Sequence, residues 1–329
     1  MRKLLCLCLL FVLCASAAAE SPVETFRSSN GLLPDVPGGN TYSSAVLVQE
    51  MKLRLIQDDR ERFDTLYKLL TKYFQSPLTL LYTRLDASLK PVAWENSTGT
   101  DLQACRVLLD AAAKWKNWEY QERALKIAGR ILRHNVRHGI LINGAAWKER
   151  VSRIYSLYEP ALFLNLSIID VQLLLRLQSL LPVWEPVVQR ALGILLAGSG
   201  GKPPRQHYNV EKKRYTHADQ TSTEYLWIMV HMIDGGLVPI GSMDSLMKRA
   251  GGDPANLVKT GKVTVASGAL TAYIFAKTGH HAASQRILTA MEAHFADENG
   301  LLCDPGKPAS LGDNLLYLFV KEVLKTKEP

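Results

Sequence analysis

A carboxylate at the mouth of an apolar helix is the first place to look for chemistry in this chain. Residues 94 to 115, WENSTGTDLQACRVLLDAAAKW, put Thr98 or Thr100 where an N-cap belongs and Asp101 in the first turn, where the positive helix end favours an ionised acid. Asp313 follows Gly312 at the start of the last apolar helix, and Asp219 precedes a capped helix within His217-Ala218-Asp219-Gln220-Thr221-Ser222. Asp35 lies on an arm between Pro34 and Pro37; Glu50, Glu95 and Glu224 are the remaining acids on or beside helices. Carboxyls gathered at one place carry general acid–base chemistry. Each also has a plain structural use: Asp101 and Asp313 match a helix dipole, Asp219 and Asp35 shape turns, and Glu50 is a solvated charge.

The elements that must position these acids are almost wholly helical. Helices are expected over residues 43–57, 60–75, 101–115, 118–136, 165–179, 183–197, 220–234, 242–250, 265–278, 281–296 and 311–326, with one short hairpin allowed between 80 and 93. Residues 60–75 carry Phe63, Leu66, Tyr67, Leu70 and Phe74 on one stripe with Arg62, Asp64, Lys68 and Lys72 opposite. Residues 168–177 and 265–276 are instead apolar nearly all round. Glu122-Arg123-Ala124-Leu125, Gln189-Arg190-Ala191-Leu192 and Gln285-Arg286-Ile287-Leu288 each open the second helix of a pair, an internal repeat of helical hairpins. An inner ring of apolar helices wrapped by an outer ring explains the asymmetry, so the expected fold class is all-α, an (α/α)6 toroid. A right-handed superhelical solenoid of the same hairpins is the alternative. The expected organisation is a leader at 1–19, an irregular arm at 20–41 with Pro22, Pro34, Pro37 and Gly38-Gly39, and one toroid domain over 42–329.

Arg2 and Lys3, then an apolar run from Leu4 to Leu13, then Ala17 and Ala19, form a secretory signal with cleavage expected after Ala19, hence a secreted or periplasmic protein. Leu13 before Cys14 argues against a lipid anchor, and no later stretch is long and apolar enough to span a bilayer. Loss of the leader leaves Cys105 and Cys303, too few for a disulfide scaffold, and Cys105 reads as a small buried hydrophobe. The basic excess, +8 over the whole chain, is scattered along helices as solvated faces and does not suggest a nucleic-acid partner. It suits an acidic polysaccharide or a cell-wall surface.

Read from Ser97, the opening stretch resembles the signature of glycoside hydrolase family 8, with Thr98, Asp101, Leu108, Leu109, Ala111 and Trp115 on matching places. Asn165-Leu166-Ser167, followed by Asp170 and Gln172, resembles the family's Asn-Pro-Ser segment, and Asp313-Asn314-Leu315-Leu316 resembles a stretch in exported bacterial relatives linked to exopolysaccharide. The resemblance covers roughly residues 30–325 and implies a six-hairpin glycosidase acting on a β-linked polysaccharide. Two departures oppose it. Gly99 stands where the signature has its substrate-binding Asp, and Ala45, in Tyr42-Ser43-Ser44-Ala45, stands where the family has its general acid.

Inverting hydrolysis needs one carboxyl to protonate the leaving oxygen and another to activate water, about 6.5–9.5 Å apart. Asp101 and Asp313 are the expected site members, with Asp219 or Asp35 as the missing partner. Pyranose rings stack on aromatic faces beside polar groups. The expected sugar contacts are Tyr42, Trp94, Glu95, Asn165, Tyr215, Trp227 and Asn314. No His pair has metal-ligand spacing, no cofactor motif is present, and Gly198-Ser199-Gly200-Gly201-Lys202 ends a helix rather than opening one as a phosphate loop must. The leading expectation is an exported glycoside hydrolase-like protein. A polysaccharide-binding protein of the same fold and a protein-binding solenoid are its alternatives.

Overall fold

The computed structural model describes residues 21–148, 156–160, 162–199, 205–216, 222–237, 246–248 and 250–326. The leader at 1–19, Asp219 and most of the helix expected at 242–250 lie outside the described residues.

Eleven named α-helices are described: α1 (Ser44–Ile56), α2 (Arg60–Leu69, continued by a π turn Leu70–Phe74), α3 (Thr98–Trp115), α4 (Trp118–His134), α5 (Val171–Leu180), α6 (Glu185–Ser199), α7 (Thr223–Asp234), α8 (Asn256–Lys259), α9 (Val265–Lys277), α10 (His281–Phe295) and α11 (Leu311–Lys325). The inner ring is α1, α3, α5, α7, α9 and α11. α1 packs on α3, α5 on α7, α7 on α9 and α9 on α11, and α3 meets the 3-10 turn Leu166–Ile168 that leads into α5. α11 then packs on α1 and closes the ring. That closure makes the architecture a toroid and removes the open solenoid.

The two rings differ as the apolar pattern requires. In α9 every residue from Ser267 to Ala276 is buried, because both flanks and the outer wrap cover it. In α4 only Tyr120, Ala124, Ile127, Ala128 and Ile131 are buried, one face of an amphipathic helix. Cys105 is buried and free, with its Sγ 3.3 Å from the Ala124 carbonyl.

A second repeat lies between the rings. Leu78-Thr79-Leu80-Leu81, His138-Gly139-Ile140-Leu141 and Asn299-Gly300-Leu301-Leu302 each follow an outer helix and turn the chain inward, and Asn30-Gly31-Leu32-Leu33 does the same after the 3-10 turn Pro22–Phe26. Gly31, Thr79, Gly139 and Gly300 all have positive φ, between 69° and 87°, a conformation open to glycine and strained for Thr79. The next apolar residue drops into the core, with Leu32, Leu80 and Leu301 at most 1% exposed.

The allowed hairpin is present: Leu85 of β2 (Arg84–Leu85) bridges Pro91, and β2 pairs with β1 (Tyr42–Ser43). Further strands occupy a region the periodicity left blank. β3 (Val136–Arg137) pairs with β4 (Ile140–Leu141), β5 (Ala145–Lys148) with β6 (Ser156–Pro160), and β7 (Phe163–Asn165), β8 (His207–Asn209) and β9 (Arg214–Thr216) form one antiparallel sheet. The helix expected from residue 165 therefore begins at Val171, because Asp170 caps it by accepting from the Leu173 N–H at 3.0 Å.

Candidate active site

The N-terminal ends of α1, α3, α5 and α7 surround a cleft of about 230 Å³. Ala45 from α1, Gly99 and Gln103 from α3, Ser167 and Ile168 before α5, Asp170, and Trp227 and His231 from α7 line it. A smaller cavity of about 50 Å³ lies deeper, sharing Gln103, Asp170, Trp227 and His231 and adding Gln49, Lys52, Arg106 and Asp234.

Asp170 is the carboxylate of the cleft lining. It accepts from Arg106 Nη1 at 2.5 Å, and His231 Nδ1 stands 3.8 Å from the same oxygen. Burial works to raise the Asp170 carboxyl, but His231, Arg106 and the Leu173 N–H outweigh it and hold the group below the usual carboxylate range. Burial lowers His231 in turn. Arg106, a permanent cation in direct contact, is the steadier of the two partners that favour the ionised Asp170. Trp227 stacks on His231 with ring centres 5.5 Å apart. The Lys52 ammonium lies 4.1 Å from the Phe319 ring centre and 5.6 Å from that of Trp227, and burial, aided by Arg106, lowers it to about 8.

The expected acids do not gather here. Asp101 is fully buried behind the cleft wall, accepting from the Leu81 N–H at 2.9 Å and from Asn96 Nδ2 at 2.6 Å. Burial raises its carboxyl to about 7 against these two donors. With both oxygens occupied and no exposure, it clamps the inward turn at Leu80-Leu81 rather than facing a ligand. Asp313 lies in the first turn of α11 with its N–H capped by Ser310 Oγ at 3.2 Å, and burial raises its carboxyl. Asp35 pairs with Arg84 Nε at 3.1 Å, and its carbonyl takes the Leu311 N–H at 3.1 Å, tying the arm to α11.

Among the expected sugar contacts, Trp227 lines the cleft. Tyr42 is buried in the β1–β2 pairing, and half-buried Trp94 meets Tyr82 edge-on at 6.1 Å. Glu95 is exposed and accepts from Thr83 Oγ1 at 3.1 Å. Tyr215 donates to the Ile194 carbonyl at 2.6 Å. Asn314 grips Leu302, accepting its N–H at 2.8 Å and donating to its carbonyl at 2.9 Å. Asn165 caps the Leu166–Ile168 turn and donates from Nδ2 to Glu224 Oε1 at 2.6 Å, while His207 Nε2 lies 3.1 Å from Glu224 Oε2.

Ala45 and Gly99 are in the cleft wall, where the family resemblance puts carboxylates. A Cβ on Gly99 would lie 2.9 Å from Ile168 Cγ2, so the space for a side chain there is already filled. Sequence reasoning passed over Lys52, Arg106, His231 and Asp234. Polar side chains on helices otherwise apolar all round were the available signal.

No family model and no curated protein sequence matches the chain. Solved structures do match. One described as a novel alpha-amylase from Clostridium perfringens has a TM-score of 0.77 at 15% identity, covering 91% of this chain and 95% of that one. PssZ from Listeria monocytogenes gives 0.68 at 15% identity over 93% and 95%. Endoglucanase Cel10, a family 8 glycosyl hydrolase from Klebsiella pneumoniae, gives 0.62 at 15% identity over 92% and 96%. The fold is that of family 8 glycoside hydrolases. Family 8 structures thus share the chain's (α/α)6 architecture over nearly its whole length, and the resemblance read from residues 97–115 and 313–316 agrees with them in fold.

Proposed function

We propose that this protein is an exported polysaccharide-binding protein that holds a β-linked glycan chain against Trp227 in the cleft without cleaving it. The cleft wall carries the reading. Ala45 and Gly99 occupy the places where the resemblance expects a general acid and a sugar-binding carboxylate, and Ile168 fills the space beside Gly99. The remaining carboxylate of the lining, Asp170, is committed to Arg106 and to capping α5, so it is a poor proton donor and a screened base. The stacked Trp227–His231 pair offers the flat face that a pyranose ring needs. Export rests on Arg2, Lys3 and the apolar run that follows. The β linkage follows the endoglucanases of this fold rather than the amylase.

Affinity electrophoresis and a reducing-end assay on a panel of soluble β-glucans test this reading. Wild type should be retarded and release no reducing ends, and Trp227→Ala should weaken retardation by about tenfold, the scale of one lost stacking contact. One observation favours retained hydrolysis: Glu224, part-exposed in the first turn of α7 and one turn before Trp227, is held by Asn165 and His207 like a positioned acid. Reducing ends released by wild type and abolished by Glu224→Gln would replace binding with hydrolysis. Retardation by no glucan would remove both.

A further inference from the structure

The outer face of α4 carries a feature with no part in the cleft. Tyr120, Ala124, Ile127, Ala128 and Ile131 anchor the helix inward, so Arg123, Lys126, Arg130 and Arg133 share the outward half. Their 3, 4, 3 spacing sets the four cations in a row about 15 Å long. They line an open groove of about 640 Å³ with Gln75, Thr79, Leu125 and Gly129, and among the described residues no carboxylate takes part in that lining.

Most basic helix faces are solvated and balanced by neighbouring acids. This one is balanced on one side only. Lys126 pairs with Glu122 at 2.6 Å, and Arg123 is held toward the groove by the neutral Gln75 Oε1 at 2.6 Å. Arg130 and Arg133 form no ion pair among the described residues. A Cβ at Gly129 would meet nothing within 4 Å, so the groove floor is bare helix backbone. Trp118, 74% exposed, stands at the N-terminal end of α4 outside the groove lining, about 100° round the helix from the middle of the row, with Glu119 and Glu122 exposed on the same first turns.

We propose that this groove is a second carbohydrate site, one that takes an acidic polysaccharide bearing uronate carboxylates. A uronate residue presents two chemistries together, a flat apolar ring face and a carboxylate. Trp118 matches the first by stacking. The guanidiniums match the second, because their planar fork meets a carboxylate through two parallel hydrogen bonds. A chain lying along the row reaches the plate by bending round the N-terminal end of α4. A lipid surface fits worse, since the cations sit inside a concave groove and the exposed apolar plate stands apart at one end. The choice of polymer rests on the polysaccharide-binding reading of the protein, whereas the cation row does not.

The test is affinity electrophoresis of the full chain in gels containing polygalacturonate or hydroxyethyl cellulose, with single-stranded DNA and phosphatidylglycerol vesicles as competitors. Polygalacturonate should retard the wild type. The double variant R130Q/R133Q should lose about tenfold in affinity and show a shallower salt dependence, because fewer counterions are released. Trp118→Ala should weaken polygalacturonate binding as well, and Trp227→Ala should leave it unchanged. Trp118 and Arg133 are exposed and Arg130 is half-buried without an ion pair among the described residues, so R130Q/R133Q and Trp118→Ala should melt with wild type, which certifies that they fold. No retardation by polygalacturonate, equal retardation of R130Q/R133Q, or tighter competition by DNA or vesicles than by free polygalacturonate would each overturn the site. Hydroxyethyl cellulose reports separately on the cleft, so failure there with polygalacturonate binding intact removes the cleft reading and leaves the groove.

Discussion

The turns that lead into α3 and into α11 follow one plan and end in different chemistry. In each, a serine caps the helix: Ser97 accepts from the Thr100 N–H and Ser310 from the Asp313 N–H. In each, the side chain four residues after the cap reaches back to the turn that precedes the helix. Asp101 accepts the Leu81 N–H, and Asn314 accepts the Leu302 N–H. The amide also donates to the Leu302 carbonyl and so completes its bonding with neutral groups. A carboxylate cannot donate, so Asp101 needs Asn96 as a second donor, and Asn96 is itself steadied by Asn135 and the Ala145 N–H. The comparison separates two roles within one signature. Asp101 is the clamp, and the position two residues before it, Gly99, is the one that faces the cleft.

The largest expected break in this comparison is Asp101→Ala. It strands the Leu81 N–H and Asn96 Nδ2 in the core, two donors at about 1–3 kcal/mol each, and should lower the unfolding free energy in urea by about 2–4 kcal/mol. Next is Asn314→Asp, which sets a carboxylate against the Leu302 carbonyl. It should destabilise by about 1–3 kcal/mol at pH 7 and recover on acidification, when the protonated acid can donate again.

The third prediction concerns pH. Burial raises Asp101 from 3.8 to about 7 in the folded chain, so between those values the unfolded state has released a proton that the folded state still holds. This group's contribution to stability is full below pH 3.8, falls as pH rises toward about 7, and is level beyond that. Urea titrations across that window should show the slope in wild type and its loss in Asp101→Asn. The smallest effect is at the cleft: Gly99→Ala pushes against Ile168 and should cost about 1 kcal/mol in the same assay, with glucan binding reduced if Ile168 swings into the cleft.

Much of the fold was legible because a packed helix pair writes its burial into a 3.6-residue period. The span expected at 265–278 is found as Val265–Lys277, and that at 311–326 as Leu311–Lys325. The strands from β3 to β9 were not, since two- to five-residue strands carry too few alternations to stand out. The inward turns were written plainly in three Gly-Leu-Leu or Gly-Ile-Leu triplets, but the fourth copy hides the pattern by placing Thr79 where glycine belongs. The candidate site was legible only in part. Trp227 was marked by its type, whereas Asp170 and Arg106 lie 64 residues apart and meet only when α3 packs on the turn that leads into α5.

The amino-acid sequence by itself determined the alternation of all-round apolar and two-faced helices and the absence of side-chain carboxyls at positions 45 and 99, whereas the cap of α3 expected at Thr98 or Thr100 is Ser97. Both determined features are local properties, set by residue type and spacing along one helix. The tertiary structure alone decided that the ring closes through α11 on α1, that Asp101 faces inward, and that Asp170 spends its charge on Arg106. The reason is geometric. A first-turn acid has the same helical signature whether it points into a cleft or a core, and only the neighbouring helices determine how much water reaches it.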